Sequence, residues 1–246
     1  MDPVKQFQQE KADFISKMRQ DEELKKKSLD WMLHADKYKY IYNFTWLGIP
    51  IIKFPQDIQA LQEVIWKVKP DLIIETGIAH GGSIIFSASM MHLLGNNGKV
   101  LAVDIDIRDH NRTLIESSPF YKYITMIQGS STDQYIINQI KHFAKDYKNI
   151  MVCLDSNHTH EHVLRELELY APLVSNESYI ILPDTLIEFY PEGYYDNRPW
   201  DVGDNPHTAM LEFLKHNPDF EADNEITDKL LITEAYGGGF LKRLKS

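Results

Sequence analysis

Residues 71–77 have the sequence DLIIETG, a short apolar run that closes in a glutamate, a threonine and a glycine. Four later segments repeat this scheme: KVLAVDID (99–106), YITMIQG (123–129), NIMVCLD (149–155) and SYIILPD (178–184). Continuous apolar runs are typical of strands that are covered on both faces. Because the first four runs each precede a helical stretch, the pattern predicts a doubly wound α/β sheet.

The two ends of the chain extend this architecture. The strand-like segments KLLITEAY (229–236) and GFLKRLK (239–245) lie on either side of a glycine-rich turn, which predicts an antiparallel hairpin. Residues 1 to about 40 are polar-rich with apolar residues three to seven apart, which predicts helices that pack on the body or on a neighbouring subunit. We therefore predict a domain over residues 57–246, with a seven-stranded sheet, preceded by a helical extension and connector over residues 1–56.

Composition and charge exclude several classes of protein. The chain has 26 basic and 36 acidic residues, and a net charge of -10 argues against a nucleic-acid or anionic-membrane surface. The single Cys153 excludes an internal disulfide and a zinc site built from cysteines. No apolar run approaches the ~18–20 residues of a membrane span, and the N-terminus lacks the apolar core of a signal peptide. We expect a cytoplasmic protein that binds neither nucleic acid nor membrane.

Polar residues and glycines recur at the ends of the predicted strands. In a doubly wound sheet, ligands bind at the carboxyl ends of the strands, near the point where the strand order reverses. The residues expected there are Glu75, Gly77, Asp104, Ser130, Asp155 and Asp184. That all six residues fall at the same end of the predicted sheet is the strongest indication of a functional site in the sequence.

The turn ETGIAHGGS (75–83) follows the first of these strands. Gly77 allows the backbone to pass close to a ligand, and Gly81 and Gly82 open a helix N-terminus with free N–H groups, which suits a nucleotide-like group. The turn is not a G-x-G-x-x-G motif, which disfavours a dinucleotide. Glu75 attracts a cation and repels phosphates, so it favours the sulfonium of S-adenosylmethionine. A plain tight turn is the alternative.

The ends of the predicted strands at 99–106 and 123–129 are candidates for binding the ribose and adenine of S-adenosylmethionine. Asp104 lies about twenty-nine positions after the glutamate of the turn, where ribose-binding acids lie in nucleoside-binding folds, and Asp106 competes for this role. In the segment QGSSTD, Ser130 and Ser131 are candidates for contact with an adenine edge. Capping of the next helix by Ser131 or Thr132 is the alternative.

The segment LDSNHTHEHVLRELE (154–168) permits more than one kind of metal centre. His158-x-x-Glu161-His162 has the residue order of a group of zinc peptidases, but the motif directly follows a buried strand and offers no obvious third ligand. Non-haem iron held by histidines and one carboxylate is another alternative, with His160 in the same cluster.

The interpretation that we prefer uses the strand ends instead. Asp155 and Asp184 close neighbouring strands, and like charges at that range need a cation between them, with oxygen ligands favouring Mg²⁺, Mn²⁺ or Ca²⁺ over zinc. His158 then faces the same cleft as a candidate general base, whereas His160 and His162 are expected on the helix surface or at an interface. Four more charged residues are expected on a solvated helix face: Glu161, Arg165, Glu166 and Glu168.

About twenty residues without periodicity separate Asp184 from a helix predicted to begin near Pro206, with Asn205 as its cap. Loops of this length in a compact domain are usually functional or disordered. Aromatic residues in the loop argue against disorder, among them Tyr190, Tyr194, Tyr195 and Trp200. We predict a lid over the strand ends, with a surface loop as the alternative.

Nine blocks of the sequence carry a family resemblance: NFTWLGIPI, KPDLIIETGIAHGGS, VDIDIR, GSS, LDSNHTHEHVLRELELYAPLVS, DT, RPW, NP and KLLIT. Over about residues 40–245 the chain resembles the cephalosporin hydroxylase (rhamnosyl O-methyltransferase) family. The resemblance implies a Rossmann-like class I S-adenosylmethionine-dependent methyltransferase fold and a divalent metal, usually Mg²⁺. It implies cofactor binding by Glu75, Gly77, His80, Asp104 and Ser130, to which we add Gly82, Ser83 and Ser131. It implies metal binding by Asp155 and Asp184.

One position departs from the family pattern. Some members have a second acid directly before the later metal aspartate, whereas this chain has Pro183, which cannot be a ligand. Thr185, Glu188 or water are candidates for the third ligand. The chain also resembles, more distantly, catechol-type metal-dependent O-methyltransferases, whose lysine base lies three residues after the metal aspartate. His158 takes that place here, which supports its role as the base.

Together these features predict a metal-dependent O-methyltransferase that uses S-adenosylmethionine. The predicted acceptor is a hydroxyl of a sugar or a sugar-bearing small molecule, such as a nucleotide-activated, capsular or glycolipid sugar. Two alternatives remain: an iron-dependent hydroxylase that uses the cluster of three histidines, and a non-catalytic module that binds the adenosyl cofactor. Assembly into a homo-oligomer through the N-terminal helices is also predicted.

Overall fold

Strands and helices alternate along most of the chain, and the computed structural model describes residues 2–245. The elements in chain order are α1 (Pro3–Gln20), α2 (Glu22–Asp36), β1 (Phe44–Trp46), β2 (Ile49–Ile51), α3 (Pro55–Val68), β3 (Leu72–Thr76), α4 (Gly82–Leu94), β4 (Lys99–Asp104), α5 (Asp109–Glu116), β5 (Ile124–Gln128), α6 (Gln134–Ala144), β6 (Ile150–Leu154), α7 (His160–Tyr170), β7 (Tyr179–Ile181), α8 (Pro206–His216), β8 (Phe220–Ala222), α9 (Asn224–Leu230) and β9 (Phe240–Arg243).

The central sheet has seven strands in the order β5-β4-β3-β6-β7-β9-β8. The first five strands are parallel, and β9 is antiparallel to both β7 and β8. After β5 the chain returns to the other side of β3, so the strand order reverses between β3 and β6. The predicted seven-stranded, doubly wound sheet with an antiparallel C-terminal hairpin is confirmed, and its switch point lies where ligands bind in such sheets.

The sheet is buried on both faces, as its continuous apolar strands predict. Along β3, Ile73 packs into a cluster with residues of α3 and α4, whereas its neighbours Leu72 and Ile74 pack on the other face with residues of α6, α7 and α8. Side chains of successive strand residues point to opposite faces, so an unbroken apolar run is needed to fill both layers. Each of these buried side chains contributes about 1.5–3 kcal/mol relative to exposure.

One partner of the predicted hairpin is wrong. Residues 229–236 do not form a strand; α9 continues to Leu230, and β9 pairs instead with the short β8. The reason is that residues after α9 bond elsewhere: Leu231 has a left-handed φ of 59°, and the backbone N–H of Glu234 donates to the carboxylate of Asp57. These contacts hold the segment against α3 and away from the sheet.

The N-terminal helices predicted over residues 1–40 are present as α1 and α2, and the connector that follows contains the β1–β2 hairpin. Met32 of α2 packs with Phe54, Leu186 and Tyr190 in a separate apolar cluster. The loop that follows β7 is therefore not irregular throughout, because its first residues, Thr185–Phe189, form a 3-10 helix whose Leu186 packs in this cluster. No helix within residues 2–245 has the length and apolar character needed to cross a membrane.

Candidate active site

A cleft of about 350 Å³ lies at the carboxyl ends of the central strands. Most of the predicted site residues line it: Gly77, His80, Gly82, Ser83, Asp104, Asp155, His158 and Asp184. Ser130 and Ser131 line an adjoining cavity of about 140 Å³. A larger cavity of about 440 Å³ lies between α1, α3 and α9, away from the strand ends and from these groups. The structure thus gathers the predicted residues, Glu75 excepted, around two neighbouring spaces.

Close packing explains two glycines of the β3–α4 turn. Gly77 has a φ of +86°, and a Cβ at this position would lie 1.9 Å from the carbonyl oxygen of Asp155. A Cβ on Gly82 would lie 2.2 Å from the carbonyl oxygen of Pro50. Only glycine therefore allows the turn to approach the end of β6 at Gly77 and strand β2 at Gly82 this closely. Helix α4 begins at Gly82 without a side-chain cap, which leaves its first N–H groups available to a ligand.

Asp104 is held firmly at the wall of the cleft. One carboxylate oxygen accepts a hydrogen bond of 2.7 Å from the backbone N–H of Ile78, and the other accepts one of 2.9 Å from the N–H of Asp106. The side chain of Asp106 is instead exposed and lies near Arg108. Between the two candidate acids, the structure places Asp104 at the site.

Glu75 lies behind the wall of the cleft. Its side chain is buried, it accepts a hydrogen bond from the hydroxyl of Ser83, and Ser83 lines the cleft in its place. Burial raises the pKa of Glu75 to about 7, although Ser83 and the nearby Lys53 oppose the shift. Direct contact of Glu75 with a bound sulfonium stays a prediction.

The raised pKa of Glu75 predicts a pH-dependent stability. The folded protein holds this proton up to about pH 7, whereas the unfolded chain releases it near the ordinary value of 4.5. The free energy of unfolding is therefore expected to fall as the pH rises from about 4.5 to 7, by at most about 3 kcal/mol from this group. Urea unfolding between pH 5 and pH 8 measures this. Glu75→Gln should flatten the decline, and Glu192→Gln, at an exposed position, should not; equal slopes in all three proteins would contradict the expectation.

Asp155, His158 and Asp184 converge at the centre of the cleft. One ligand atom from each of the three lies within 4.8 Å of the others. His158 Nε2 lies 3.6 Å from Asp184 Oδ2, and its ring meets Trp200 edge-on at 4.6 Å between centroids. Burial raises the pKa of Asp184, an effect that His158 opposes and Asp155 strengthens. Asp184 also adopts a left-handed φ of 61°, a strained conformation of the kind found at functional sites.

Sequence reasoning missed two charged residues at this centre. Lys53 is almost fully buried, with its Nζ 3.1 Å from Asp155 Oδ2 and 3.4 Å from Glu234 Oε2. Burial disfavours the ammonium, but attraction by Asp155 and Glu234 outweighs it and raises the pKa of Lys53 well above its usual value. The one available signal is a lysine inside the apolar segment PIIKFP. Lys53 therefore holds one oxygen of Asp155 in place.

The three histidines of the segment 154–168 do not form one cluster. Helix α7 begins at His160, so His158 precedes the helix and does not share a helical face with His162, which rules out the peptidase arrangement. His160 and His162 are predicted on the helix surface or at an interface, and both lie on α7 with partly exposed side chains. His160 is half-buried and contacts Thr208 and Glu212 of α8, and His162 is half-buried against the cavity of about 140 Å³. The iron centre drawn from three histidines is not assembled.

The contacts of Thr185 and Glu188 decide whether either residue can be the third metal ligand. Thr185 donates its hydroxyl proton to the carbonyl oxygen of Tyr236, so it faces away from the cleft. Glu188 accepts from the N–H of Gly203 and from the side chain of Asn205, and it is not a wall residue either. Neither residue is placed as a third metal ligand.

The N-terminal cap of α6 differs from the residues considered in the sequence analysis, whereas the cap of α8 is the predicted one. The cap of α6 is Asp133, which accepts from two backbone N–H groups, and not Ser131 or Thr132. Asn205 caps α8 as predicted, and Pro206 is the first helical residue. Ser131 is therefore free of a capping role and lines the cavity beside the cleft.

A seven-stranded sheet with this strand order, and a glycine-lined turn that faces a pair of carboxylates, define a class I methyltransferase. Residues 38–244 match the family model described as rhamnosyl O-methyltransferase/CmcI. The rhamnosyl O-methyltransferase of Mycobacterium tuberculosis (strain ATCC 25618 / H37Rv) is 32% identical over 203 residues, 81% of this chain and 78% of that protein. That of Mycobacterium leprae (strain TN) is 30% identical over 207 residues, 83% and 86% of the two chains. The chain therefore belongs to the rhamnosyl O-methyltransferase/CmcI family, and it is an S-adenosylmethionine-dependent O-methyltransferase.

Solved structures show the same fold. A structure of CmcI with Mg-SAM is 18% identical and has a TM-score of 0.58, covering 83% of this chain and 78% of that one. An O-methyltransferase from Bacillus cereus in complex with SAH is 16% identical and has a TM-score of 0.52, covering 80% and 82%. The predicted Rossmann-like class I methyltransferase fold is confirmed.

Proposed function

We propose that the protein transfers a methyl group from S-adenosylmethionine to a hydroxyl of a sugar or sugar-bearing small molecule, with the help of a divalent cation. The observation that carries this proposal is that the glycine-lined turn 77–83 and the cluster of Asp155, His158 and Asp184 face one cleft. A donor bound at the turn and an acceptor bound at the cluster are then within reach of each other. Family membership supports the reaction class.

The residues at the cluster fit a hard divalent cation. Asp155 and Asp184 supply carboxylate oxygens, and Mg²⁺ is usually held by one or two carboxylates with water in the remaining positions. The absence of an acid at Pro183 is therefore compatible with Mg²⁺ or Mn²⁺. The raised pKa of Asp184 also fits, because burial and, to a smaller extent, the nearby Asp155 disfavour its carboxylate, which a bound cation would stabilise. When bound, the cation supplies Lewis-acid polarisation of the acceptor hydroxyl.

The chain's own residues orient the reactants and move one proton. In the transfer, the bond between the methyl carbon and sulfur breaks while a bond to the acceptor oxygen forms, and the hydroxyl proton passes to the imidazole of His158. Such general-base assistance contributes typically ~10²–10⁴ in rate. Alignment of sulfur, carbon and oxygen supplies roughly 7–11 kcal/mol. Gly77 and the N-terminus of α4 would hold the donor, with Asp104 on its ribose.

Aromatic side chains in the cleft support a sugar acceptor. Tyr42, Tyr195 and Trp200 line it, and the guanidinium of Arg198 lies over the ring of Trp200 at 5.2 Å. Aromatic rings provide apolar faces for a sugar ring, and the related proteins from Mycobacterium are named rhamnosyl O-methyltransferases. Arg198 adds a positive charge, which suits a nucleotide-activated sugar.

The loop of residues 185–205 is proposed as the lid of this cleft. Trp200 of this loop contacts the ring of His158, so the loop already covers one side of the reacting centre. Exclusion of water favours a reaction in which the charges of the sulfonium and the developing alkoxide cancel. We also propose that residues 1–56 form an extension of the methyltransferase domain of residues 57–246. Its helix α1 exposes Phe7 and Phe14, which suits contacts in a homo-oligomer.

Thermal-shift titration with S-adenosylhomocysteine, with and without Mg²⁺ or Mn²⁺, tests the proposal. We expect the melting temperature to rise with the nucleoside and to rise further with the cation, because ligands that bind the folded state stabilise it. A screen of nucleotide sugars and glycolipid sugars with labelled donor then identifies the acceptor. Full activity in excess chelator would remove the cation from the proposal, and no transfer to any sugar would remove the acceptor class.

A further inference from the structure

The active-site cleft contains a lysine that comes from outside the central sheet. Lys53 belongs to the connector between β2 and α3, and its side chain is only 3% exposed. The connector is anchored on both sides. Strand β2 lies against the first turn of α4, where Gly82 leaves room for the carbonyl group of Pro50, and Phe54 packs with Met32 of α2. These contacts place Lys53 at the carboxyl ends of the strands, where it lines the cleft.

The ammonium group of Lys53 is shared by two carboxyl groups. Its Nζ lies 3.1 Å from Asp155 Oδ2 and 3.4 Å from Glu234 Oε2. Burial lowers the pKa of Lys53, but attraction by Asp155 and Glu234 outweighs this effect and raises the pKa well above its usual value. Lys53 therefore carries a positive charge at neutral pH. A buried charge is tolerated when it is paired and hydrogen-bonded, and these two contacts meet that condition.

This positive charge lies next to the proposed cation site. Asp155 is one of the three residues, with His158 and Asp184, whose ligand atoms lie within 4.8 Å of one another. Because Lys53 holds Oδ2 of Asp155, Oδ1 is the oxygen that is left to a metal ion. Repulsion between like charges is stronger in a partly buried site than in water, so the ammonium opposes the binding of a nearby cation. The affinity of sites built from oxygen ligands depends on the charges that surround the ion.

We propose that Lys53 is a built-in counter-charge of the cation site, which holds Asp155 in place before the cation binds and limits the affinity of the site for that cation. The inference rests on the proposed cation site at Asp155 and Asp184.

The counter-charge has opposite consequences for the free and the cation-bound protein. In the free protein, two carboxylates at neighbouring strand ends repel each other, and the ammonium of Lys53 offsets this repulsion and keeps the site preformed. In the cation-bound protein, the ion shares Asp155 with the ammonium, so it is held less tightly than by the carboxylates alone. Lys53 is thus a positioning residue that makes the site ready for a divalent cation and keeps that cation exchangeable.

Calorimetric titration of Lys53→Met with Mn²⁺ tests this inference. Methionine has a similar length and no charge, so the variant should bind Mn²⁺ ~10-fold more tightly than the wild-type protein, because the repulsion is removed. Its melting temperature without Mn²⁺ should be lower, because loss of one partner of a buried ion pair leaves the other uncompensated. Mn²⁺ should then raise this temperature by more than it does in the wild type. A purely structural role of Lys53 predicts weaker binding of Mn²⁺ instead.

Lys229→Met is the matched control. Lys229 also forms an ion pair, with Glu63, but it lies on α9 and does not line the cleft. This variant should keep the Mn²⁺ affinity of the wild type. Asp155→Asn shows which site is titrated, because it should greatly weaken Mn²⁺ binding if the ion occupies the proposed site.

A crystal structure of the wild-type protein with Mn²⁺ provides a second test in case Lys53→Met does not fold, which circular dichroism would show. Lys53 Nζ should stay within hydrogen-bonding distance of Asp155 Oδ2, with the ion on the other oxygen alone. Unchanged or weaker Mn²⁺ binding by folded Lys53→Met, or an ion bound by both oxygens of Asp155, would overturn the inference while sparing the proposed function. If the wild-type protein bound no Mn²⁺ at the two aspartates, the proposed cation site and the inference would fail together.

Discussion

Replacement of Asp155 by asparagine is expected to lower turnover by at least ~10³-fold in a protein that remains folded. A neutral amide holds a hard divalent cation weakly, and polarisation by a bound metal is worth several kcal/mol, of which about 4 kcal/mol corresponds to ~10³ in rate. Lys53 keeps Glu234 as an ion-pair partner, so the variant does not leave the buried ammonium without a counter-charge. Turnover with labelled donor and calorimetric titration with Mn²⁺ measure the two effects.

The matched control for this variant is Asp106→Asn. Asp106 lies near the end of a neighbouring strand, but its side chain is exposed and pairs with Arg108 outside the cleft. It should keep wild-type turnover and Mn²⁺ affinity. If Asp155→Asn retained more than about a tenth of wild-type turnover, the cation would not be held by this residue.

Replacement of His158 by alanine should reduce turnover by ~10²–10⁴-fold, the range that a positioned general base contributes. The dissociation constant for S-adenosylhomocysteine should stay within about 3-fold of wild type, because the donor is assigned to the turn at Gly77.

Mn²⁺ titration of the same variant separates a base from a ligand. His158 lies close enough to both aspartates to complete a metal site, so its loss would weaken Mn²⁺ binding greatly if it were a ligand. We expect Mn²⁺ affinity to change little. His110→Ala, at an exposed position on α5, serves as the control. Wild-type turnover in His158→Ala would exclude it as the base.

The parallel part of the fold could be predicted because strands that are buried on both faces have continuous apolar sequences. The runs at 72–74 and Ile150–Leu154 are apolar throughout, and each is followed by polar or glycine residues. The antiparallel edge of the sheet, formed by β8 and β9, could not be predicted in this way. The strand Phe220–Ala222 is three residues long and has an exposed glutamate at its centre, whereas the apolar segment after α9 looks like a strand but is bonded to Asp57.

Some residues of the candidate site could likewise be predicted from the sequence, and others could not. Asp155 and Asp184 could be predicted because each follows a strand whose neighbour is known from the sheet. Lys53 and Glu234 could not, because their partners lie 102 and 181 positions away along the chain and no local pattern brings them together. Glu166 follows the spacing of a solvated helix face, and only the contact with Ser156 across the interior shows that it is buried.

The most direct measurement is a crystal structure of the protein grown with S-adenosylhomocysteine and Mn²⁺, with an anomalous difference map to locate the metal. We expect one Mn²⁺ peak shared by the carboxylates at 155 and 184, at about 2–2.6 Å from an oxygen of each. The nucleoside should occupy the space beside Gly77, with its sulfur facing that ion. Aspartates that bind no common ion, or a nucleoside bound elsewhere, would contradict the proposal that donor and cation act on one alcohol.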